Sequence, residues 1–479
     1  MAYALPLLKE PEGAPEEPEP PSGLPEPDHR ILRDGDFWRR VPAYTHVSRA
    51  DFLDHLWQAK NSLTRPEKLL DVLRGVADAD FVADLAQGLM SAPMALRLSP
   101  YVLSLIDWND PEHDPLRRQF LPLASSQRPD HPCVGLDSLG ERHDEAVPGL
   151  VHRYPDKVLL LSLDTCPVYC RFCTRSYAIG PDNGGVEKVS LKVSETRWEA
   201  AFQYIKAHPA IEDVVVSGGD TYQLKPEQLR TIGMRLLDIP HVRRMRFATK
   251  GLAVMPMKVL SDQAWFNALC DVHASGRKRR KDVVVHTHFN HPNEITAITE
   301  EALGRLFEAG VTVRNQAVLQ RGVNDDPATM RRLLRRLSYV NVHPYYVYVH
   351  DLVKGVEDLR TSVATAEALE KEMRGSTAGF NTPTFVVDAP GGGGKRDVHS
   401  YEHYDRVTGV SVYTAPVVKA GQFFCYVDPL DSLPADGRAR WADPNEHREI
   451  LREALIAAGA GAGAVREFEA ADAAHSAHA

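Results

Sequence analysis

Cysteine is scarce, with six residues in a chain of 479. A small disulfide scaffold needs dense, paired cysteines, so that class is excluded. Long apolar runs are also absent. No stretch approaches the ~20 residues that a membrane-spanning helix needs, and the Ala/Gly segment from Ala457 to Val465 is too short and too weakly apolar. There is no excess of positive charge either. The 56 Lys plus Arg face 65 Asp plus Glu, a formal charge of −9. That balance argues against a bulk nucleic-acid binder, whose cations must displace counterions from phosphates. Met1 to Lys9 carry no basic leader, so no secretory signal is expected. The expectation is a soluble cytoplasmic protein with reduced thiols, and no nucleic-acid or membrane partner.

The length suggests roughly three domains' worth of chain, although α/β barrels run past about 250 residues as one unit. Residues 1–35 are rich in Pro and Glu and too poor in apolar side chains to offset the entropy of ordering. They read as a disordered tail. Residues 36–150 read as a helical region and linker. Ser48 precedes Phe52, Leu53, Leu56 and Trp57 at helical spacing, and Thr64, Pro66 and Glu67 read as a capping box. Residues 151–430 alternate between strand and helix patterns. The strand candidates are Val158–Leu163, Val214–Val216, Met245–Ala248, Val283–Phe289, Val311–Leu319, Tyr345–Val349 and Thr384–Val387. Helical patterns such as Arg197–Ala207, Glu301–Ala309 and Met330–Leu337 separate several of them. Such alternation implies an α/β fold with a parallel sheet and right-handed crossovers, a full or partial (β/α) barrel. Functional residues then gather where strands end. Residues 431–479 read as a C-terminal helix and an Ala-rich tail.

Half of the cysteines fall on one predicted loop. The first strand runs into Cys166-Pro-Val-Tyr-Cys170-Arg-Phe-Cys173, a C-x₃-C-x₂-C spacing with no fourth cysteine nearby. Thiolates are soft ligands for Zn, Cu(I) or iron–sulfur clusters. Three merely packing thiols fit poorly on a loop at a strand end. A closed Zn site calls for a fourth ligand, which Cys133, Cys270, Cys425 or a histidine could supply only if the fold brought it near. Three thiolates can instead hold three irons of a 4Fe–4S cluster and leave the fourth iron open.

Two glycine signatures follow strands. Ser217-Gly218-Gly219-Asp220 follows Val214–Val216 and is either a tight turn or a place where backbone approaches a ligand. Pro390-Gly391-Gly392-Gly393-Gly394-Lys395 follows Thr384–Val387. It is not a P-loop, because Ala389 and Arg396 stand where that pattern needs Gly and Ser or Thr. A flexible linker is the bland reading. A lysine on a shaped loop can instead anchor pyridoxal phosphate (PLP) covalently.

Cys166 to Cys173, with Phe172 before the last cysteine, resembles the motif of the radical S-adenosylmethionine (SAM) superfamily. Together with Asp388-Ala-Pro-Gly-Gly-Gly-Gly-Lys395, it resembles the lysine 2,3-aminomutase family over about residues 36–430. Trp57–Asn61, Leu103–Asp107, Arg153–Lys157, His286–Glu294 and Pro344–Tyr346 carry the same likeness. The resemblance implies a radical SAM barrel that uses a 4Fe–4S cluster, SAM and PLP. It implies isomerase activity that moves the α-amino group of L-lysine to the β-carbon through a 5′-deoxyadenosyl radical and a PLP aldimine. The implied cluster ligands are Cys166, Cys170 and Cys173. Lys395 is the implied catalytic PLP anchor, with Arg153 and Gly391, Gly392, Gly393 and Gly394 around PLP. Ser217, Gly218, Gly219, Asp220, His288 and Gln316 are implied for SAM. Arg175 is implied for the substrate carboxylate, and Asp351 and Asp388 for the distal ammonium.

A lysine ammonium supplies the cation that two carboxylates in a partly dry pocket need. Arginine, or a lysine within another protein, meets the same charge requirement. A non-catalytic Fe–S or Zn-binding protein is the alternative from another class. The resemblance also implies an electron donor such as flavodoxin or ferredoxin, and a homo-oligomer. Two departures stand out. Only Cys425 lies near the C-terminus and Asp326 stands in for a cysteine, so no structural zinc is expected. Ser176 and Tyr177 replace the arginines expected after Arg175.

Overall fold

The structure is a computed structural model that describes residues 27–182, 186 and 188–468. Most of the expected Pro/Glu-rich tail therefore lies outside the described residues, as does the end of the Ala-rich tail. The boundary expected at residue 35 moves inward. Arg336 already donates to the carbonyls of Asp28, His29 and Ile31 at 3.1, 3.1 and 2.9 Å.

Ten strands form one sheet in chain order: β1 (Glu145–Val147), β2 (Leu150–Tyr154), β3 (Lys157–Leu161), β4 (Asp213–Ser217), β5 (Arg244–Ala248), β6 (Asp282–Thr287), β7 (Val313–Val318), β8 (Val342–Tyr348), β9 (Thr384–Ala389) and β10 (Gly394–Asp397). Strands β3 to β9 are parallel. Strands β1 to β3 and the β9–β10 pair are antiparallel. Each parallel connection carries helix, as crossovers require. The longest helix of each connection is, in order, Glu195–Ala207, Pro226–Leu237, Gln263–Lys278, Ala297–Glu308, Pro327–Tyr339 and Val363–Met373. Strands covered on both faces can be apolar throughout. Val214 and Val216 in β4 and Val283, Val284 and Val285 in β6 are all buried. The fold is thus mixed α/β with a mostly parallel ten-stranded sheet.

Strands β1 and β10 are the sheet's two edges. Its margins still meet through a side chain. The Tyr154 hydroxyl, at the end of β2, accepts a hydrogen bond of 3.0 Å from the backbone amide of Lys395 in β10. A second, three-stranded sheet, β11 (His403–Asp405), β12 (Val410–Ala415) and β13 (Lys419–Val427), follows β10 and was not expected.

The N-terminal region is helical, in short pieces. Trp38 and Phe52 stack at 4.1 Å in its core. Ser48 does cap a helix, Arg49–Phe52, by accepting from the Asp51 amide. The capping box at Thr64 does not form. Arg65 is the N-cap of Pro66–Leu73 and contributes no side-chain hydrogen bond. Proline at the first position presets the helical φ without that help. No helix among the described residues is long and apolar enough to cross a membrane.

Candidate active site

The loop bearing the cysteines leaves β3 and is fixed from three sides. Ser162 donates through its amide and hydroxyl to the Ser217 carbonyl, at 2.8 and 2.6 Å. The Tyr169 and Arg171 amides donate to Arg97 and Gln119 of the helical region, each at 3.0 Å. The buried Arg171 guanidinium forks onto Asp358, at 2.8 and 3.1 Å, in the connection after β8. Cys166 and Cys173 pack beside Met94, Tyr169 and Ile179, and Cys170 packs beside Phe172 and Val353. All three thiols are free. Burial pushes each thiol up, Cys170 to about 12. Buried thiols like these are poor nucleophiles, but a metal centre supplies the positive charge that makes them thiolates. Among the described residues, no three His, Cys, Asp or Glu side chains close around one ion position. The three thiols share one loop, and a cluster takes one thiolate per iron.

The glycines ending β4 are needed for contact with that loop. A Cβ on Gly218 would lie 2.2 Å from the Leu163 carbonyl oxygen, and one on Gly219 2.4 Å from that of Thr165. The Gly219 and Asp220 amides donate to the same two carbonyls, at 2.5 and 2.9 Å. Asp220 lines the cavity, but its oxygens accept from the Tyr222 and Lys250 amides, both at 2.8 Å. Its carboxylate therefore shapes the strand end. His288 also faces the cavity, and its buried Nε2 has no hydrogen-bond partner in the structure. Gln316, on β7, accepts 2.9 Å from the Tyr345 hydroxyl.

On the opposite wall, β9 and β10 form a hairpin in which Lys395 stands directly across from Asp388. Their side chains meet at 3.0 Å. Burial alone would raise the Asp388 carboxyl, but Lys395 and then Arg153 outweigh it and hold it below the usual range. Burial alone would lower the Lys395 ammonium, but Asp388 outweighs it and holds the ammonium well above the usual range. Asp351 accepts 2.9 Å from the Thr174 hydroxyl, one residue past Cys173. Burial, and next the charge of Asp388, push Asp351 up to about 7. Each carboxylate keeps one buried oxygen, Oδ1, without a hydrogen-bond partner in the structure.

The glycine run makes the hairpin turn and does not line the cavity. Gly391, Gly392 and Gly394 take φ of +72°, +96° and +73°, which L side chains avoid, and a Cβ on Gly393 would lie 2.6 Å from Phe424. Arg153 lines the cavity with its Nε bound to Asp144 at 2.6 Å and its Nη2 to the Leu139 carbonyl at 2.6 Å.

Arg175 presents a surprise. Its Nε and Nη2 fork onto Glu141 at 2.8 and 2.7 Å, and the Tyr177 hydroxyl donates 3.0 Å to the same carboxylate. Sequence reasoning missed Glu141, Tyr154 and Thr174. Glu141 lies in a stretch rich in Asp, Pro and His that reads as linker. The one hint in the sequence is distant, Tyr177 standing where an arginine was expected.

One cavity of about 660 Å³ joins these parts. It is lined by Cys166, Cys170, Cys173, Ser217, Gly218, Gly219, Asp220, His288, Gln316, Arg153, Arg175, Asp351, Asp388 and Lys395. Every site residue that the resemblance implies, except the four-glycine turn, lines it. A family model described as lysine-2,3-aminomutase matches residues 370–401, which contain the β9–β10 hairpin. The L-lysine 2,3-aminomutase of Clostridium subterminale is 40% identical over 361 residues, covering 75% of this chain and 81% of that one. Its counterpart in Acetoanaerobium sticklandii is 38% identical, covering 74% and 80%. The chain belongs to the L-lysine 2,3-aminomutase family. A glutamate 2,3-aminomutase of Clostridioides difficile is also related, at 33% identity over 74% of this chain and 79% of that one. Family membership therefore leaves the substrate's side-chain charge to be decided by the cavity. Among solved structures, a radical SAM methyltransferase from Sphaerobacter thermophilus matches at 19% identity and a TM-score of 0.31, covering 50% of this chain and 68% of that one. That likeness is too low to bear on fold or activity.

Proposed function

We propose that the protein is an L-lysine 2,3-aminomutase, an isomerase that moves the α-amino group of free L-lysine to the β-carbon to give β-lysine. The observation that carries this reading is the pair Asp351 and Asp388. Both line the cavity that also holds Lys395 and the three cysteines, and each keeps one buried oxygen without a hydrogen-bond partner. Buried anions without a partner are costly, and a cationic side-chain end relieves that cost. The side-chain carboxylate of glutamate would add a third negative charge there, so the pair disfavours the chemistry named for the Clostridioides difficile relative.

The residues fit the three cofactors that the sequence implies. Cys166, Cys170 and Cys173 would hold the 4Fe–4S cluster. Ser217, Gly218, Gly219, Asp220, His288 and Gln316 would surround SAM, with Asp220 acting through the strand end it caps. Lys395 would anchor PLP, Arg153 would face its phosphate, and the four glycines would set the turn that presents Lys395. When bound, the cluster and SAM would supply radical chemistry at the β-carbon, and PLP would supply a covalent handle for the amino group.

The protein's own side chains position the substrate. Arg175 would hold its carboxylate, since a planar fork matches that group. Asp351 and Asp388 would hold its ε-ammonium, fixing the chain between two charged ends. Met94, Tyr169, Ile179 and Phe172 would keep water from the radical. We take the sheet to curl as a partial barrel of the radical SAM type, supported by the contact between Tyr154 and Lys395 across its margins. The proposed setting is the cytoplasm, with a flavodoxin or ferredoxin donating the electron and a homo-oligomeric assembly.

The test is anaerobic reconstitution with iron, sulfide and PLP, followed by incubation with SAM, reductant and either L-lysine or L-glutamate. The reading expects a cluster absorbance, a PLP band, and a β-amino acid from lysine alone. A protein that takes up neither chromophore would instead favour a non-catalytic role.

A further inference from the structure

We propose that Glu141 is a positioning residue for the reaction, one that aims Arg175 at the substrate carboxylate. This inference rests on the reading of Arg175 given above. A guanidinium offers two edges for bidentate binding, Nε with Nη2 and Nη1 with Nη2. Glu141 occupies the first edge, at 2.8 and 2.7 Å. Arg175 Nη1 makes no hydrogen bond with another described residue, and the arginine lines the cavity. The second edge is therefore the one left for a ligand carboxylate.

Glu141 is itself held in place. Its side chain is 5% exposed. The Tyr177 hydroxyl donates to its Oε2 at 3.0 Å, and its own amide donates to Asp137 Oδ1 at 2.9 Å. The charge-assisted fork removes the rotamer freedom that a long arginine would otherwise lose on binding. Tyr177 completes the support, which gives this departure from the expected arginine run a physical role.

The prediction separates positioning from general packing. In the proposed pose Arg175 bonds the carboxylate end of lysine and reaches Asp388 only through its charge, so loss of Glu141 should weaken ligands that carry a carboxylate far more than those that lack one. The probes are L-lysine and cadaverine, which is lysine without its carboxylate. Both are titrated calorimetrically into the PLP-loaded holoenzyme, wild type, Glu141→Gln and Tyr177→Phe. The expected result is that Glu141→Gln weakens lysine by about 10- to 100-fold, the range for a hydrogen bond to a charged group, with cadaverine within twofold of wild type. KM for lysine should rise with kcat little changed, as for uniform binding. Tyr177→Phe should shift lysine in the same direction by a few-fold. Equal weakening of both ligands, or unchanged lysine affinity, overturns the proposal. If Glu141→Gln does not fold, Tyr177→Phe decides by the same comparison. A wild-type enzyme that binds lysine no better than cadaverine instead refutes the assignment of Arg175 to the substrate carboxylate.

Discussion

Lys395 and Asp388 are cross-strand partners in one hairpin, and their side chains meet at 3.0 Å. Seven positions separate them in sequence, and the glycine turn folds them face to face. In the PLP-free protein the Lys395 ammonium thus sits on a carboxylate proposed for the substrate's ammonium. Lys395→Ala should abolish the PLP absorbance band and β-lysine formation while leaving the cluster absorbance in place. Asp388→Asn should cost the PLP-free protein about 1–3 kcal/mol in thermal or denaturant unfolding, because it leaves a half-buried ammonium without its anion.

Asp351 sets the expected pH dependence. Burial, then Asp388, raise its carboxyl to about 7, against the opposing effects of Thr174 and Lys395. A carboxyl with a raised pKa is protonated, and unable to hold an ammonium, below that value. kcat/KM for lysine should therefore fall as pH drops through about 7, since this parameter reports ionisations of the free enzyme. Asp351→Asn should lower kcat/KM at pH 8 by roughly 10²-fold and remove that limb of the profile. An identical limb in the Asn variant would assign it to another group.

The two glycines after β4 differ from an ordinary helical glycine. A Cβ at Gly219 would fall 2.4 and 2.5 Å from the Thr165 carbonyl oxygen and amide nitrogen, backbone atoms with little freedom to yield. Gly219→Ala should destabilise the protein by about 1–3 kcal/mol and lower the iron bound per chain on reconstitution. Gly304, in the helix Ala297–Glu308, has open space around it, and a Cβ there would meet nothing within 4 Å. Gly304→Ala should be stabilising by about 0.5–1 kcal/mol. Unfolding midpoints of the two variants check the contrast.

Each cysteine of the loop should matter separately. Cys166→Ala, Cys170→Ala and Cys173→Ala should each abolish the brown cluster absorbance and SAM cleavage. Cys270→Ala should leave both unchanged.

The parallel core was readable because β4 and β6 show as Val-rich runs while β5 and β7 alternate buried with half-buried residues. All seven parallel strands were anticipated with boundaries off by a few residues at most. Strands β1, β2 and β10 were not. They are short, mix charged with apolar residues, and form hairpins whose pairing depends on turns. The cysteine loop and the Asp388–Lys395 hairpin were legible because their chemistry is concentrated in short segments. Glu141 was not legible. Nothing local distinguishes it from Asp137, Asp144 or Glu145, and only the return of the cluster loop brings Arg175 and Tyr177 to it. The Thr64 capping box failed for a related reason. Pro66 presets the first turn, so the helix starts there with Arg65 as an N-cap that makes no side-chain hydrogen bond.

The most direct test of the central claim follows one atom. Reconstituted enzyme is incubated anaerobically with SAM, reductant and L-lysine carrying ¹⁵N at the α-amino group, and the product is read by NMR. The account predicts β-lysine with the label on C3. Cleavage of SAM with all of the label still on C2 would contradict it.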